Sequence, residues 1–251
     1  MTTIRGARAR ARIEVTAAIK DEARRQLADE GAAKLSLRAV ARELGMVSSA
    51  LYRYFPSRDE LLTALIVDAY DSLGTAAESA LATGTSTSTG TGPAAHAARW
   101  VDLCRAVRAW ALAHPHEYAL IYGSPVPGYT APRDTVVPAA RVGNALISVA
   151  RDAHRSGGLA LPPLGEELRP EAHRLAATLA PDLPPAVVVA LVAAWSQLFG
   201  LISFELFGQF NHVVEDRDAF FAHAVARLAH EIGLGAHTPG APPAPAVLQG
   251  E

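Results

Sequence analysis

Arg38, Ser48, Ser49, Tyr52, Arg53, Tyr54 and Arg58 lie in one short stretch of the chain, and no Asp or Glu occurs between Gly45 and Arg58. Guanidinium and hydroxyl groups grouped without acids are suited to one chemistry, hydrogen bonding to phosphate oxygens and base edges. An ordinary solvated helix face would mix Glu with Lys. Ser48, Ser49, Tyr52 and Arg53 form the compact outward face that a major groove would receive. Arg38 would reach a base edge or phosphate, and Tyr54 and Arg58 would anchor flanking phosphates. A cation in the first turn of a helix, as Arg58 is placed, opposes the helix dipole, which points to an anion beside it.

Two short helices must position these groups. Ser36 is a good N-cap, and Leu37, Val40, Ala41 and Leu44 follow at helical spacing to make one apolar face. Gly45 supplies the left-handed residue that ends a helix. Val47, Leu51, Tyr54 and Phe55 then renew the inward spacing after a turn, which is the pattern of a helix-turn-helix. Pro56 stops that second helix and Ser57 caps the next. Upstream, a helix runs from about residue 13 to residue 30, with Ile19, Ala23 and Leu27 towards the core and Gly31 after it. Downstream, the helix from 57 to about 82 is longer than a DNA module needs and can couple two domains. The domain reading is therefore 1–60, a larger helical domain over 61–234, and a Pro/Ala/Gly-rich tail at 235–251.

Charge is divided the same way. Residues 1–60 hold 12 Lys or Arg and 8 Asp or Glu, a balance of +4, while the remaining 11 basic and 17 acidic residues give −6. A basic segment on an acidic body turns one face towards a polyanion. Arg5, Arg8, Arg10 and Arg12 precede the first apolar helix and could form an arm along a nucleic-acid backbone. The single cysteine, Cys104, allows no internal disulfide or multi-cysteine zinc site and reads as a buried small hydrophobe in a cytoplasmic protein. No apolar run of the kind a secretory signal carries stands at the start of the sequence. Residues 186–204 are apolar enough to imitate a membrane span, but no flanking Lys or Arg would orient one, so the segment reads as a helix buried on several sides.

The pattern of punctuation places further helices at about 94–113, 115–122, 134–156, 171–179, 185–210 and 217–233, with no alternating strand pattern. The fold class is all-α. Residues 83–93, rich in Thr, Ser and Gly, cannot bury apolar area and are expected to be a mobile loop. The proline-rich segment 123–132 is expected to fold back over the second domain. Trp110, His114, Tyr118, Tyr122, Trp195 and Gln197, with Glu205, are candidates for lining a concave, mostly apolar small-molecule site. With Glu205 as the lone acid and no Arg or Lys among them, a mostly apolar or weakly cationic ligand is expected. A metal site from His114, His116, Cys104 or Glu205 is the rival reading, but two His flanking Pro115 do not share a helix face. The other rival is a DNA-binding protein without an effector, for which the large apolar second domain would be superfluous. No phosphate loop, nucleophile elbow or matched acid pair points to an enzyme, and no cofactor is expected.

Residues of about 13 to 70 resemble the DNA-binding domain of the tetracycline-repressor (TetR) family, most specifically in the run Leu-Tyr-Arg-Tyr-Phe-Pro-Ser-Arg-Asp-Glu-Leu. Trp195 and Gly200 also resemble two marks of a TetR subgroup named WHG after a Trp, a His and a Gly, although Phe199 stands where the His would be. The resemblance implies a homodimer and a small-molecule effector received by the second domain. It also implies repression more often than activation and a palindromic double-stranded operator read by two copies. The helices at 185–210 and 217–233 would then form a two-fold four-helix interface, and an effector would act by shifting the helix that starts at 57.

Overall fold

In the computed structural model the described residues are 4–84 and 92–235, and among them every regular element is helical. The expected loop at 83–93 and tail at 235–251 fall largely outside those residues. Helix α1 covers Ile4–Glu30, α2 Leu37–Glu43, α3 Ser48–Leu51 and α4 Arg58–Gly84. The remaining helices are α5 Pro93–Ala113, α6 Pro115–Tyr122, α7 Val136–Arg155, α8 Arg169–Leu179, α9 Pro185–Leu206 and α10 Arg217–Glu231.

Local chemistry explains the boundaries. Gly31 and Gly45 hold φ of 79° and 64°, conformations that cost an L side chain energy, so the chain turns at both after α1 and α2. The Ser36 hydroxyl accepts from the Ala39 amide at 3.4 Å, and the Ser57 hydroxyl accepts from the Glu60 amide at 3.1 Å. These are the caps their positions predict. Helix α9 stops at Leu206, short of the expected 210, because Gly208 takes the left-handed conformation at φ 83°. Helix α1 starts nine residues earlier than expected, at Ile4 rather than Ile13, so the basic segment is helical and not an extended arm.

Two buried clusters share the long α4. Ile19, Leu27, Val40, Leu51 and Phe55 close on Leu61, Leu62 and Leu65 of α4, making a small N-terminal core, the reading head. Ala69, Leu73 and Ala77, further along the same helix, belong to the larger core of the body built with α5, α7, α9 and α10. One rigid rod therefore carries both cores. Helix α9 is long and apolar enough to cross a membrane by length and composition, yet Val187, Leu191, Leu198 and Ile202 are buried within the body. Its opposite face leaves Ala193, Ser196, Gln197 and Phe204 exposed.

The segment 123–132 departs from expectation in where it goes. It forms a strap across the reading head, with Val126 and Tyr129 packed against that core, and the Tyr129 hydroxyl sits 2.9 Å from that of Thr63. Its prolines block helix, and its apolar side chains settle on the nearest unfinished apolar surface, which belongs to the head.

Candidate nucleic-acid interface and ligand cavities

Helix α3 is a single turn, and helical hydrogen bonds continue past it through Tyr52, Arg53, Tyr54 and Phe55. Pro56 ends this because it pushes the preceding residue out of the helical region. Ser48, Ser49, Tyr52 and Arg53 are exposed, and Arg38 is exposed on neighbouring α2. Among the described residues neither Arg38 nor Arg53 is engaged in an ion pair or side-chain hydrogen bond. Both guanidinium groups are open to an external acceptor. Tyr54 is half-buried on the head, and the guanidinium of Arg12 stands 5.4 Å from its ring centroid. Helical continuation of α1 thus brings one arginine of the basic segment to the α3 side. Val47, expected to point inwards, is instead 70% exposed at the cap of α3, where the extended backbone turns it out.

Arg58 has partners inside the protein that the sequence did not reveal. Its Nη2 donates to the carbonyls of Ala32 at 2.8 Å and Ala33 at 3.2 Å, and its Nε donates to that of Leu35 at 3.2 Å. The acceptors a cation needed at this position are backbone carbonyls of the turn after α1. An external phosphate is not required to explain it.

The six residues expected to line one pocket do not share one, although the rings of Tyr118 and Tyr122 meet at 5.2 Å. Trp110 is buried with its indole N–H donated to the Ser72 hydroxyl at 2.8 Å, and His114 stacks on it at 4.9 Å, so this pair joins α5 to α4. Tyr118 is fully buried, donates to the Phe199 carbonyl at 3.1 Å and lies 2.8 Å from the Ser203 hydroxyl, which fastens α6 to α9. Burial pushes its phenol up to about 12. Gln197 points outwards on α9, its amide only 3.4 Å from the Ala193 carbonyl one turn back. Helical rotation puts it about 200° from Trp195, on another face. Tyr122 and Trp195 do line cavities, but different ones.

The cavity at Trp195 has a volume of about 320 Å³ and lies between α7, α8 and α9, with Ala140, Gly143, Leu175, Leu179 and Leu191 among its walls. Among the described residues Asn144 is the one polar side chain in an otherwise apolar lining that Trp195 completes. On the other side of α7, Arg141 clamps α4. It donates to the Asp71 carbonyl at 2.8 Å, the Asp71 carboxylate at 2.9 Å, the Thr75 hydroxyl at 3.1 Å and Glu78 at 2.6 Å. A Cβ at position 74 would lie 2.7 Å from the Arg141 side chain, so glycine there makes room for the clamp. Arg141 is not legible as functional in the sequence, since its partners lie more than sixty positions away.

Glu205 is not a lone acid facing a ligand. Arg108 binds it through two 2.7 Å hydrogen bonds and reaches Asp218 at 2.7 Å, lying 5.0 Å from the Phe221 ring centroid. The charge argument for a weakly cationic ligand therefore falls away, while the apolar cavity supports the apolar half of that expectation. The metal alternative is also poorly served. Glu205 is engaged by Arg108, Cys104 is buried with its thiol pushed far up by desolvation, and among the described residues no three His, Cys, Asp or Glu gather as ligands.

A small head with an acid-free donor face, joined by one rod to a larger helical body, defines a helix-turn-helix DNA-binding regulator. Residues 19–65 match the family described as bacterial regulatory proteins, tetR family, and residues 100–228 match the tetracyclin repressor-like C-terminal domain. The chain belongs to the TetR family of transcriptional regulators. It is 40% identical over 213 residues to the HTH-type transcriptional regulators Rv1816 of Mycobacterium tuberculosis and Mb1846 of Mycobacterium bovis, covering 82% of this chain and 86% of each relative. The crystal structure of the regulatory protein SCO4313 is similar with a TM-score of 0.70 and 38% identity, over 88% of this chain and 98% of that one. The regulator PfmR of Thermus thermophilus shares the fold, with a TM-score of 0.53 at 17% identity over 87% and 98% of the two chains. These matches stop at the family; neither description names the WHG subgroup. The protein is thus a DNA-binding transcriptional regulator and not an enzyme, in a family whose members dimerise and sense ligands through the C-terminal domain.

Proposed function

We propose that this protein is a homodimeric repressor, acting in the cytoplasm, that releases a palindromic operator when a small apolar molecule enters the cavity between α7, α8 and α9. Arg38, Ser48, Ser49, Tyr52 and Arg53 read the operator, and Tyr54 steadies that surface. Arg58 serves the fold instead. The exposed face of α9 around Ala193, Gln197 and Phe204, with Phe220 of α10 beside it, is the surface that a second copy would cover.

The observation that carries the switch is the position of α7. One face of it walls the apolar cavity and the other holds α4 through Arg141. A molecule that binds one α7 position better than the other biases α4, and α4 supplies Leu61, Leu62 and Leu65 to the head. Two heads on two such rods would change their separation. A cavity of this volume, at the small end of the usual range for ligand sites, suits a compact apolar ligand. A regulator without an effector would have no use for it.

The test is a two-stage screen on the full chain. Operator DNA is first selected from a random pool, and a palindromic consensus is expected. Apolar compounds are then ranked by thermal shift, and the best one should quench or shift Trp195 fluorescence and release operator over the same concentration range. Bound compounds that left operator affinity unchanged would reduce the protein to an unregulated DNA binder. Restoration of the response by metal ions alone would favour the metal-sensing alternative.

A further inference from the structure

At the joint of head and body lies a cleft of about 810 Å³ with walls from both. Leu27 and Ala28 of α1 form the head side, Tyr122 of α6 and Phe207 after α9 form the body side, and Val126 of the strap closes one edge. Its volume lies within the range of small-molecule sites, which bury most of a ligand against apolar walls and orient it by a few polar groups.

Three observations bear on what it would hold. Among the described residues no Asp, Glu, Lys or Arg lines it, and His116 is its one basic side chain. The nearby charges are already engaged with each other, since Arg24 of α1 donates to Glu117 at 3.0 Å and Asp68 at 2.7 Å, and Lys20 donates to Asp68 at 2.8 Å. A charged ligand would be desolvated here without a partner. The Tyr122 ring is stacked on Phe199 at 4.1 Å, but its hydroxyl has no hydrogen-bond partner among the described residues. Burial, with Tyr70 and Tyr118 close by, pushes that phenol well above its ordinary value, so it stays a neutral donor. Finally, the strap over the cleft is itself anchored in the head by Val126 and Tyr129. Whatever fills the space beneath it presses on both domains at once.

We propose that this joint cleft is a second small-molecule site, for an uncharged and largely apolar molecule with a hydrogen-bond acceptor for Tyr122, and that its occupant sets the angle of the reading head on the body. The site is distinct from the cavity between α7, α8 and α9 and acts on the head directly through α1 and the strap. The Arg24 pairs with Glu117 and Asp68 are the contacts that a change of angle would reset.

Nile red, neutral and apolar with a carbonyl acceptor, is a suitable probe for the full-length protein. Ala28 is exposed on α1, so Ala28→Trp fills the cleft without replacing a core side chain; Ala140, exposed on α7, allows the same treatment of the other cavity. Ala28→Trp is expected to remove one dye equivalent per chain and to abolish the dye's effect on operator affinity, both of which survive Ala140→Trp. Tyr122→Phe should weaken that dye component about three- to tenfold, the usual worth of one hydrogen bond. An effect abolished by Ala140→Trp and untouched by Ala28→Trp would overturn the joint site while leaving the other cavity standing. A second measurement is independent of how Ala28→Trp folds. Native Cys104 is buried, so Ala28→Cys introduces the one accessible thiol, and Nile red should slow its modification by N-ethylmaleimide. An unchanged rate at saturating dye would overturn the proposal.

Discussion

The reading head and the body use arginine in opposite ways. On the head, Arg38 and Arg53 are exposed and, among the described residues, without protein partners, so their charge faces outwards. In the body, Arg99 is tied to Asp152, Arg108 to Glu205 and Asp218, Arg141 to Asp71 and Glu78, and Arg151 to Asp182. Each of those pairs spans two helices, except that Arg151 reaches the turn between α8 and α9. The two arginines beside α3 thus offer their charge to an external anion, whereas these four body arginines tie distant parts of the fold together; other arginines, such as Arg25 and Arg42 on the head and Arg174 and Arg227 in the body, pair with acids near them in sequence. Arg24 stands at the joint and pairs across it with Glu117, while Arg58 is engaged within the head itself.

If the comparison is sound, damage to the head core should cost DNA binding and leave the body folded. Leu51 is fully buried in the head, and Leu51→Ala should destabilise the head by about 2–5 kcal/mol. Thermal unfolding followed by circular dichroism should become biphasic, with the body transition in place and operator binding lost. A single shifted transition would show that α4 fuses the two cores into one cooperative unit, and the division into head and body would have to be abandoned.

The two kinds of arginine can be set against each other directly. Arg53→Ala should leave the melting temperature unchanged and weaken operator binding, by about 1–3 kcal/mol for the preferred base if the contact is to a base edge. Arg58→Ala should do the reverse. Removing it takes a donor from three carbonyls, of which that of Ala32 keeps the Leu35 amide, and because its side chain is 28% exposed, water replaces part of the loss, so a destabilisation of about 1–2 kcal/mol is expected. The salt dependence of DNA binding should not change. A salt slope lowered by about one unit per half-site in Arg58→Ala would return that residue to the phosphate contacts.

The same contrast decides what can be read from the sequence. The head is built from neighbours in the chain: caps at Ser36 and Ser57, the left-handed Gly45 and the stop at Pro56 each act within four residues, so spacing alone exposes them. Where spacing misleads in the head, the causes are equally specific. Periodicity points Val47 inwards, but the extended backbone of the turn is not periodic. The helix dipole asks for an anion beside Arg58, but its carbonyl acceptors lie 23 to 26 residues upstream. In the body the helix positions are legible, since hydrophobic spacing and prolines mark them. The cavities are not. Trp110, Tyr118 and Gln197 have the residue types of a binding site, but which way each faces depends on the packing of α4, α6 and α9 against one another. Arg108 and Arg141 have partners 97 and 63 positions away and carry no local signal at all.

Between the two regions stands the transmission, and Arg141 tests it. Arg141→Gln should keep operator affinity close to that of the native protein in the absence of effector, because the head itself is intact. The effect of a thermal-shift-selected apolar compound on that affinity should shrink by about 0.5–2 kcal/mol. Measuring compound affinity alongside operator affinity separates loss of coupling from loss of binding. A full response in Arg141→Gln would move the transmission from α7 to another contact of α4.

The smallest effect expected is the pH dependence of that same clamp. Hydrogen bonding from Arg141 holds the Glu78 carboxyl below its ordinary value of 4.5, more than its partial burial raises it. A group whose folded value is depressed stabilises the fold fully above the unfolded value and loses that contribution as pH falls through the folded one. The native protein should therefore exceed Glu78→Gln in stability by a constant margin at neutral pH. The margin should begin to close near pH 4.5 and vanish once pH lies below the depressed value. Because the Glu78 side chain is half exposed, the margin should be no larger than that of other exposed ion pairs, roughly 0.2–1 kcal/mol, and salt should shrink it. Chemical denaturation of both proteins from about pH 3 to neutrality would resolve it. A margin that persisted below the carboxylate range would mean that Glu78 contributes through packing on α4 rather than through its charge, and the clamp would then rest on Asp71 and the Thr75 hydroxyl.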